Sequence, residues 1–364
     1  MITTPYELAT PIASAEGEPE TVQAVIEWSK AHPLRWFVED FILEQAVHIL
    51  HGLEESFKTM LMLQLHEVLA KGGQFLLWDV EGGLRTGIAE LEMKMQLAGS
   101  RFSNFWPKEE APHIHVLPES ARREVLSGRT GLERIKVISD WAKENELDFV
   151  SIDSLAKLFP PGHDVSRQDL ASDIFSHIQL LPTTLILAHD RKPPHEAKGA
   201  ASAGNAEIVG SGRMSQEPDV VHQVIRPDKR APKVRLECGK LREGVKPEPL
   251  DLYFDKVDFR LYPSHPFLHL LPATEGHLIE EAERRYGWKE RRSRDHIASL
   301  KDLPGIESQQ QGANCSKRLE STLSLAEFRA ALQNRSDCNE PGSAALPVRP
   351  PELSAEQEAC SALQ

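Results

Sequence analysis

The sequence predicts an α/β fold with a mostly parallel central sheet and a small C-terminal helical module, and three observations carry that prediction. Residues 46–65 read as strand, turn and helix: an apolar run, a turn that opens at Gly52, then a second apolar stripe at helical spacing. Short apolar segments recur between residues 75 and 254, alternating with helical patterns and then passing into a strand-rich end. The chain has 364 residues with 40% hydrophobic content, enough for one large core and an appendage.

Residues 1–33 read as a loose N-terminal arm with helical spacing over 20–28, and Trp36 and Phe37 lead into the first strand. The helix over 60–69 ends at Lys71-Gly72-Gly73, a glycine C-cap. A second strand at 75–79 would close a parallel strand-helix-strand unit with the turn at its carboxyl edge. Acidic residues Asp79 and Glu81 follow with Gly82-Gly83, and a helix is expected from 86 to 98.

Strands are expected at 113–117, 148–152, 183–188, 220–225, 233–237 and 250–254, with helices near 131–144 and 166–180. The Gly, Ala, Ser and Lys cluster at 191–216 reads as a long loop. The core then spans 34–262, and Pro263, Pro266 and Pro272 mark a linker. A small module occupies 274–332, and the Pro, Ser and Glu content of 333–364 predicts a disordered tail.

Composition excludes some classes. No apolar run approaches the ~20 residues of a membrane span, and the first residues lack a basic-then-apolar leader, so a soluble cytoplasmic protein is expected. Cys238, Cys315, Cys338 and Cys360 are too scattered for a zinc site or a disulfide framework. A net charge of −13 opposes whole-surface affinity for nucleic acid, though not a local basic patch or a basic channel between subunits.

Residues 52–59 match the phosphate-loop pattern G-x-x-x-x-G-K-[ST] at Gly52, Lys58 and Thr59, with Phe57 in place of the second glycine. In such a loop the backbone around Glu54, Glu55, Ser56, Phe57 and Met60 and the helix start cradle phosphate. The lysine ammonium neutralises its charge, and the hydroxyl holds Mg²⁺. A residue directly before the lysine can already belong to the first helical turn, where a Cβ is tolerated.

Three further sites fall at strand ends. Asp153 closes an apolar strand, placed either to take a Mg²⁺-bound water or to cap the following turn. Glu81 is placed to polarise an attacking water, with Asp79 competing and a solvated turn acid as the plain alternative. His189, in Leu187-Ala-His-Asp-Arg-Lys192, is placed to sense a terminal phosphate or to serve structure alone.

In this order the motifs GLEESFKT, DVEGG, FVSID and LILAHDRK, followed by Gly210-Ser-Gly212 and Gly239-Lys-Leu-Arg-Glu-Gly244, resemble the RecA-like P-loop core of the RepA-type hexameric replicative helicases over residues 34–256. The resemblance implies ATP and Mg²⁺ as ligands, Lys58 and Thr59 on phosphate and metal, Glu81 as base, Asp153 on the metal and His189 as sensor. It also implies a homo-oligomer, a hexamer in those helicases, acting on DNA. Where the helicases place an arginine that reaches the neighbouring subunit, this chain has His222. Lys240 and Arg242 resemble a Lys-x-Arg pair used in trans, the alternative being a solvated strand end, and Arg213 is a lesser candidate.

In the C-terminal module two short helices, 277–287 and 293–300, precede a hairpin start at Gly305, which suggests a helix-turn-helix or winged helix. Arg284, Arg285, Lys289, Arg291, Arg292 and Arg294 form a local basic cluster, either a DNA-facing patch or a charged lid on the core. The leading reading is an oligomeric ATPase acting on DNA. A nucleotide-binding regulator with little turnover is the alternative from another class, and a small-molecule kinase is a third.

Overall fold

The computed structural model describes residues 21–31, 33, 35–106, 111–160, 168–190, 216–228, 230–242, 246–263, 265, 267–286, 289–303, 306–310 and 317–321. Of the loop expected at 191–216 all but Gln216 lies outside the described residues, Arg213 included, and so does the expected tail.

In chain order, helix α1 (Val22–Ala31) is exposed along its described length, and a short hairpin of β1 (Trp36–Val38) and β2 (Ile42–Leu43) leads into β3 (Val47–Gly52). Helix α2 (Lys58–Lys71) follows the turn, then β4 (Gly73–Phe75), β5 (Trp78–Val80), β6 (Thr86–Glu90) and α3 (Met95–Phe105). Next come β7 (His115–Val116), α4 (Glu119–Ser127), α5 (Gly131–Glu144), β8 (Phe149–Asp153), α6 (Gln168–Ile178) and β9 (Thr183–His189). The strand-rich end is β10 (Val220–Ile225), β11 (Lys233–Leu241), β12 (Leu250–Asp255) and β13 (Arg260–Pro263). The C-terminal module contains β14 (Ala273–Thr274), α7 (Glu275–Tyr286), α8 (Glu290–Lys301), β15 (Ile306–Gln310) and β16 (Lys317–Ser321).

Nine strands form the main sheet in the order β13-β12-β11-β10-β3-β9-β8-β6-β7. The strands from β10 to β7 are parallel, and β11, β12 and β13 extend the sheet antiparallel. Alternate strand residues enter opposite layers: Leu50 and Ile88 pack under α2, whereas Val47, Ile49 and Ala89 pack under α4, α5 and α6. The α/β class with a mostly parallel central sheet is therefore observed.

One local reading is corrected. Residues 75–79 do not form the parallel crossover strand; β4 and β5 pair antiparallel outside the main sheet. Leu76 turns the chain at φ 52°, and Phe75, Leu76, Leu77 and Trp78 all pack into the core. Gly82 and Gly83, at φ 76° and 83°, then fold the chain back so that Gly83 and Leu84 N–H reach the carbonyls of Ala70 and Leu69 at the end of α2. The crossover lands on β6, buried throughout, where a helix from residue 86 was expected.

The C-terminal module runs strand, helix, helix, strand, strand among the described residues, and its sheet has the order β14-β16-β15. Arg285 on α7 docks it to the core. Its Nη1 donates to Asp255 and Asp258 at 2.6 Å each, and its Nε donates to Glu281 at 2.6 Å. Asp255, Asp258 and His269 have the spacing of cation ligands, but the Arg285 guanidinium already sits against both carboxylates.

Candidate nucleotide site

Five parallel strands end at one edge of the sheet, and their last residues surround a cavity of about 490 Å³. The turn after β3 supplies Glu54, Glu55, Ser56 and Phe57, and the start of α2 supplies Lys58, Thr59 and Met60. Glu90 and Glu92 come from the end of β6, Asp153 from β8, His189 from β9 and Arg226 from just beyond β10, while α3 contributes Arg101.

The turn keeps its glycine because a Cβ on Gly52 would lie 2.4 Å from the Val224 carbonyl oxygen. Phe57 stands just before the helix, outside its first turn. It is the N-cap of α2 at φ 68°, ψ 16°, so a phenylalanine occupies the left-handed conformation that a glycine adopts without cost. Lys58 Nζ folds back onto the loop, donating to the carbonyls of Gly52 and Leu53 at 2.8 Å each and to Ser56 Oγ at 3.3 Å. Burial pushes its ammonium down to about 8, against the pull of Asp190, Asp153 and Glu92.

Thr59 Oγ1 donates to Asp153 Oδ2 at 3.3 Å, joining the two expected metal-side residues. Asp153 belongs to β8 and caps nothing; Ser154 precedes the next short turn. Burial and then Glu92 raise the Asp153 carboxyl above its ordinary range. Glu90 is pushed up to about 7 by burial and by Asp153, while its Oε1 accepts the backbone N–H groups of Glu92 and Met93 at 2.9 Å. That turn presents Glu92, whose Oε1 lies 3.6 Å from His189 Nε2 and accepts from Ser154 Oγ at 2.5 Å. His189 chiefly, with Ser154, holds Glu92 down at about 2 despite partial burial.

The site therefore contains a desolvated cation beside crowded carboxylates. This donor set fits a Mg²⁺-nucleotide: phosphate would supply Lys58 with negative charge, and a cation between Thr59 and Asp153 would relieve the acids.

Beneath the loop a polar chain holds the strand ends. Asp190 accepts from His51 Nδ1 at 2.6 Å and from Gln223 Nε2 at 3.2 Å, and its own N–H donates to the Gly52 carbonyl at 3.1 Å.

Other expected site residues lie elsewhere. Glu81 is exposed on the β4–β5 excursion, against Gly72 at the far end of α2, and cannot reach the cavity. Lys240 and Arg242 lie at the amino edge of the parallel strands, because Val220 pairs with both His48 and Leu241. Lys240 Nζ donates to the carbonyls of Gln216 and Pro218, and Arg242 donates to Glu217 O at 2.9 Å and pairs with Asp219 at 3.4 Å. His222 is buried, donating from Nε2 to Phe41 O at 2.9 Å, so it reaches no neighbour.

Glu90, Glu92, Arg101 and Arg226 are absent from the sequence reading. The Glu-Leu-Glu run at 90–92 is the signal for the first two, once residues 86–90 are taken as a strand.

The family model described as AAA domain matches residues 14–193, which include the phosphate loop, the Glu90–Glu92 turn, Asp153 and His189. No curated protein matches the chain. Among solved structures, a KaiC-like protein from the hyperthermophilic archaeon Pyrococcus horikoshii OT3 is similar at 13% identity and a TM-score of 0.44, covering 64% of this chain and all of that one. That likeness is too loose to add to what the strand order shows.

Proposed function

We propose that the cavity binds Mg²⁺-ATP and hydrolyses its terminal phosphoanhydride bond as a RecA-like P-loop ATPase does. The observation that carries this reading is the convergence of Lys58, Thr59, Asp153, Glu92 and His189 on one cavity at the carboxyl edge of a parallel sheet. Lys58 exchanges its loop carbonyls for phosphate oxygens, and Thr59 and Asp153 hold the metal side. Bound Mg²⁺ supplies charge neutralisation of the phosphates. Glu92 takes the role assigned from sequence to Glu81, orienting the attacking water, and Glu90 fixes the turn that presents it. His189 touches Glu92 and faces the cavity, which suits a residue that registers the terminal phosphate.

Mg²⁺-dependent phosphate release tests this reading: wild type should turn over ATP, and Lys58→Ala should lose about 10²–10³-fold of that rate. Equal rates would sink it.

A second reading, a nucleotide-binding regulator with slow turnover, is favoured by one observation. Glu92 Oε1 already accepts from Ser154 Oγ at 2.5 Å and lies 3.6 Å from His189 Nε2, which leaves it less available to an attacking water. The absolute wild-type rate separates the two readings.

In the finer, RepA-like reading the protein is a homo-oligomer that acts on DNA, with Lys240 or Arg242 reaching a neighbour's nucleotide. Exposed Lys289 at the N-cap of α8 and Arg291 and Arg292 in its first turn support a DNA contact by the C-terminal module. Arg285 does not belong to that patch, being held by Asp255 and Asp258. Light scattering with Mg²⁺-ATP should show an oligomer, and replacing Lys289, Arg291 and Arg292 by Ala should weaken DNA binding; a monomer, or unchanged binding, removes the respective claim.

A further inference from the structure

We infer that Arg226 and Phe254 are positioning residues of the nucleotide site: both pack on the Phe57 ring and hold the phosphate loop in the left-handed turn that a glycine would supply. The inference rests on the ATP-site reading above and deepens it.

Phe57 starts α2 at φ 68°, a conformation in which a side chain crowds its own backbone. Left alone, such a residue relaxes toward negative φ, which would swing the N–H groups of the cradle and the Lys58 side chain away from a common centre. Two groups from distant strands oppose that relaxation. The Phe254 ring, on β12, stacks on Phe57 with centroids 4.2 Å apart and planes 14° from parallel. The Arg226 guanidinium, just past β10, lies 4.3 Å from the centroid of the Phe57 ring.

Arg226 also braces the loop's other left-handed side chain. Its Nη1 donates to the carbonyl of Glu55, which stands at φ 64°, at 2.7 Å. The same guanidinium is tied to the turn between β10 and β11, where Nη2 and Nε reach Ala231 O at 3.3 and 3.4 Å. The departure from the glycine pattern therefore comes with its own support, and that support comes from the antiparallel extension of the sheet and the strand beside it.

A double-mutant cycle on the full chain tests this, read as the dissociation constant of a fluorescent ATP analogue with Mg²⁺, with thermal melting as the check on folding. Phe254→Ala and Arg226→Ala should each weaken binding by about five- to thirtyfold, the equivalent of the left-handed penalty. Phe57→Gly removes the residue that needs the clamp, and its own dissociation constant is the baseline for the second half of the cycle. In the Phe57→Gly background, Phe254→Ala and Arg226→Ala should change binding less than about twofold. Phe254→Tyr, which keeps the ring face, should bind as wild type, and Phe254→Leu, which keeps bulk alone, should not.

Equal losses with and without Phe57 would overturn the inference, since they would mean that Arg226 or Phe254 touches the nucleotide directly or serves folding only. Lys58→Ala separates the two levels. If it binds as well as wild type, the ATP-site reading fails. If it loses binding while the clamp variants do not, the clamp alone fails.

Discussion

Two clusters of charge in this molecule are buried to similar depth and built in opposite ways. At the Arg285 dock each carboxylate touches a cation: Asp255, Asp258 and Glu281 share one guanidinium, and Glu281 also pairs with Arg284. Burial pushes Asp255 up, but His269 and Arg285 overcome it and hold its carboxyl at about 2. At the cavity the reverse holds. Lys58 is pushed down to about 8 and Glu90 up to about 7, and Asp153 is raised, because burial there outweighs the partners present. A dock pairs its charges within the chain; a site for a charged ligand leaves that pairing to the ligand.

Substitutions at the two clusters should therefore diverge. Arg285→Ala strands a fully buried carboxylate and should destabilise the fold by about 3–5 kcal/mol. Lys58→Ala, by contrast, should leave stability within about 1 kcal/mol of wild type while lowering turnover about 10²–10³-fold. Urea unfolding of both variants checks the pair, and a comparable loss of stability in Lys58→Ala would break the comparison.

A third class of buried group is neutral. His48 donates from Nδ1 to Thr184 O at 3.3 Å and accepts from the Leu43 N–H at Nε2, and His66 meets Ser151 Oγ at 2.7 Å. Burial lowers His48 and His66 to about 3 and His222 to about 4. The unfolded chain takes up these protons near pH 6.5, and the folded chain refuses them until about 3–4. Stability should thus be full above pH 6.5 and fall as the pH drops, by about 1.4 kcal/mol per unit for each histidine. Melting temperatures between pH 7.5 and 4.5 test it; a flat profile would contradict the burial.

Smaller effects come from the backbone. Gly52→Ala would drive a methyl onto the Val224 carbonyl and should cost about 1–3 kcal/mol, with weaker nucleotide binding. Glu81→Gln, far from the cavity, should change neither turnover nor stability measurably.

That last contrast shows what was legible in the sequence. Lys58, Thr59, Asp153 and His189 each follow an apolar run that is a strand in the structure, so pattern alone brought them to one edge. The carboxylate turn escaped because β6, buried on both faces, reads Thr-Gly-Ile-Ala-Glu with no two-residue period. Meanwhile Phe75 to Trp78 read as a strand by apolarity, although a left-handed Leu76 breaks that run into a hairpin. The clamp on Phe57 was invisible because Arg226 and Phe254 are brought to it only by the strand order.

The most direct measurement is Mg²⁺-dependent phosphate release from ATP by Glu92→Gln and Glu81→Gln beside wild type, with nucleotide binding measured in parallel. Glu92→Gln should keep binding and lose about 10²-fold in rate, and Glu81→Gln should match wild type. A Glu92→Gln rate equal to wild type, or a loss at Glu81 instead, would contradict the site described.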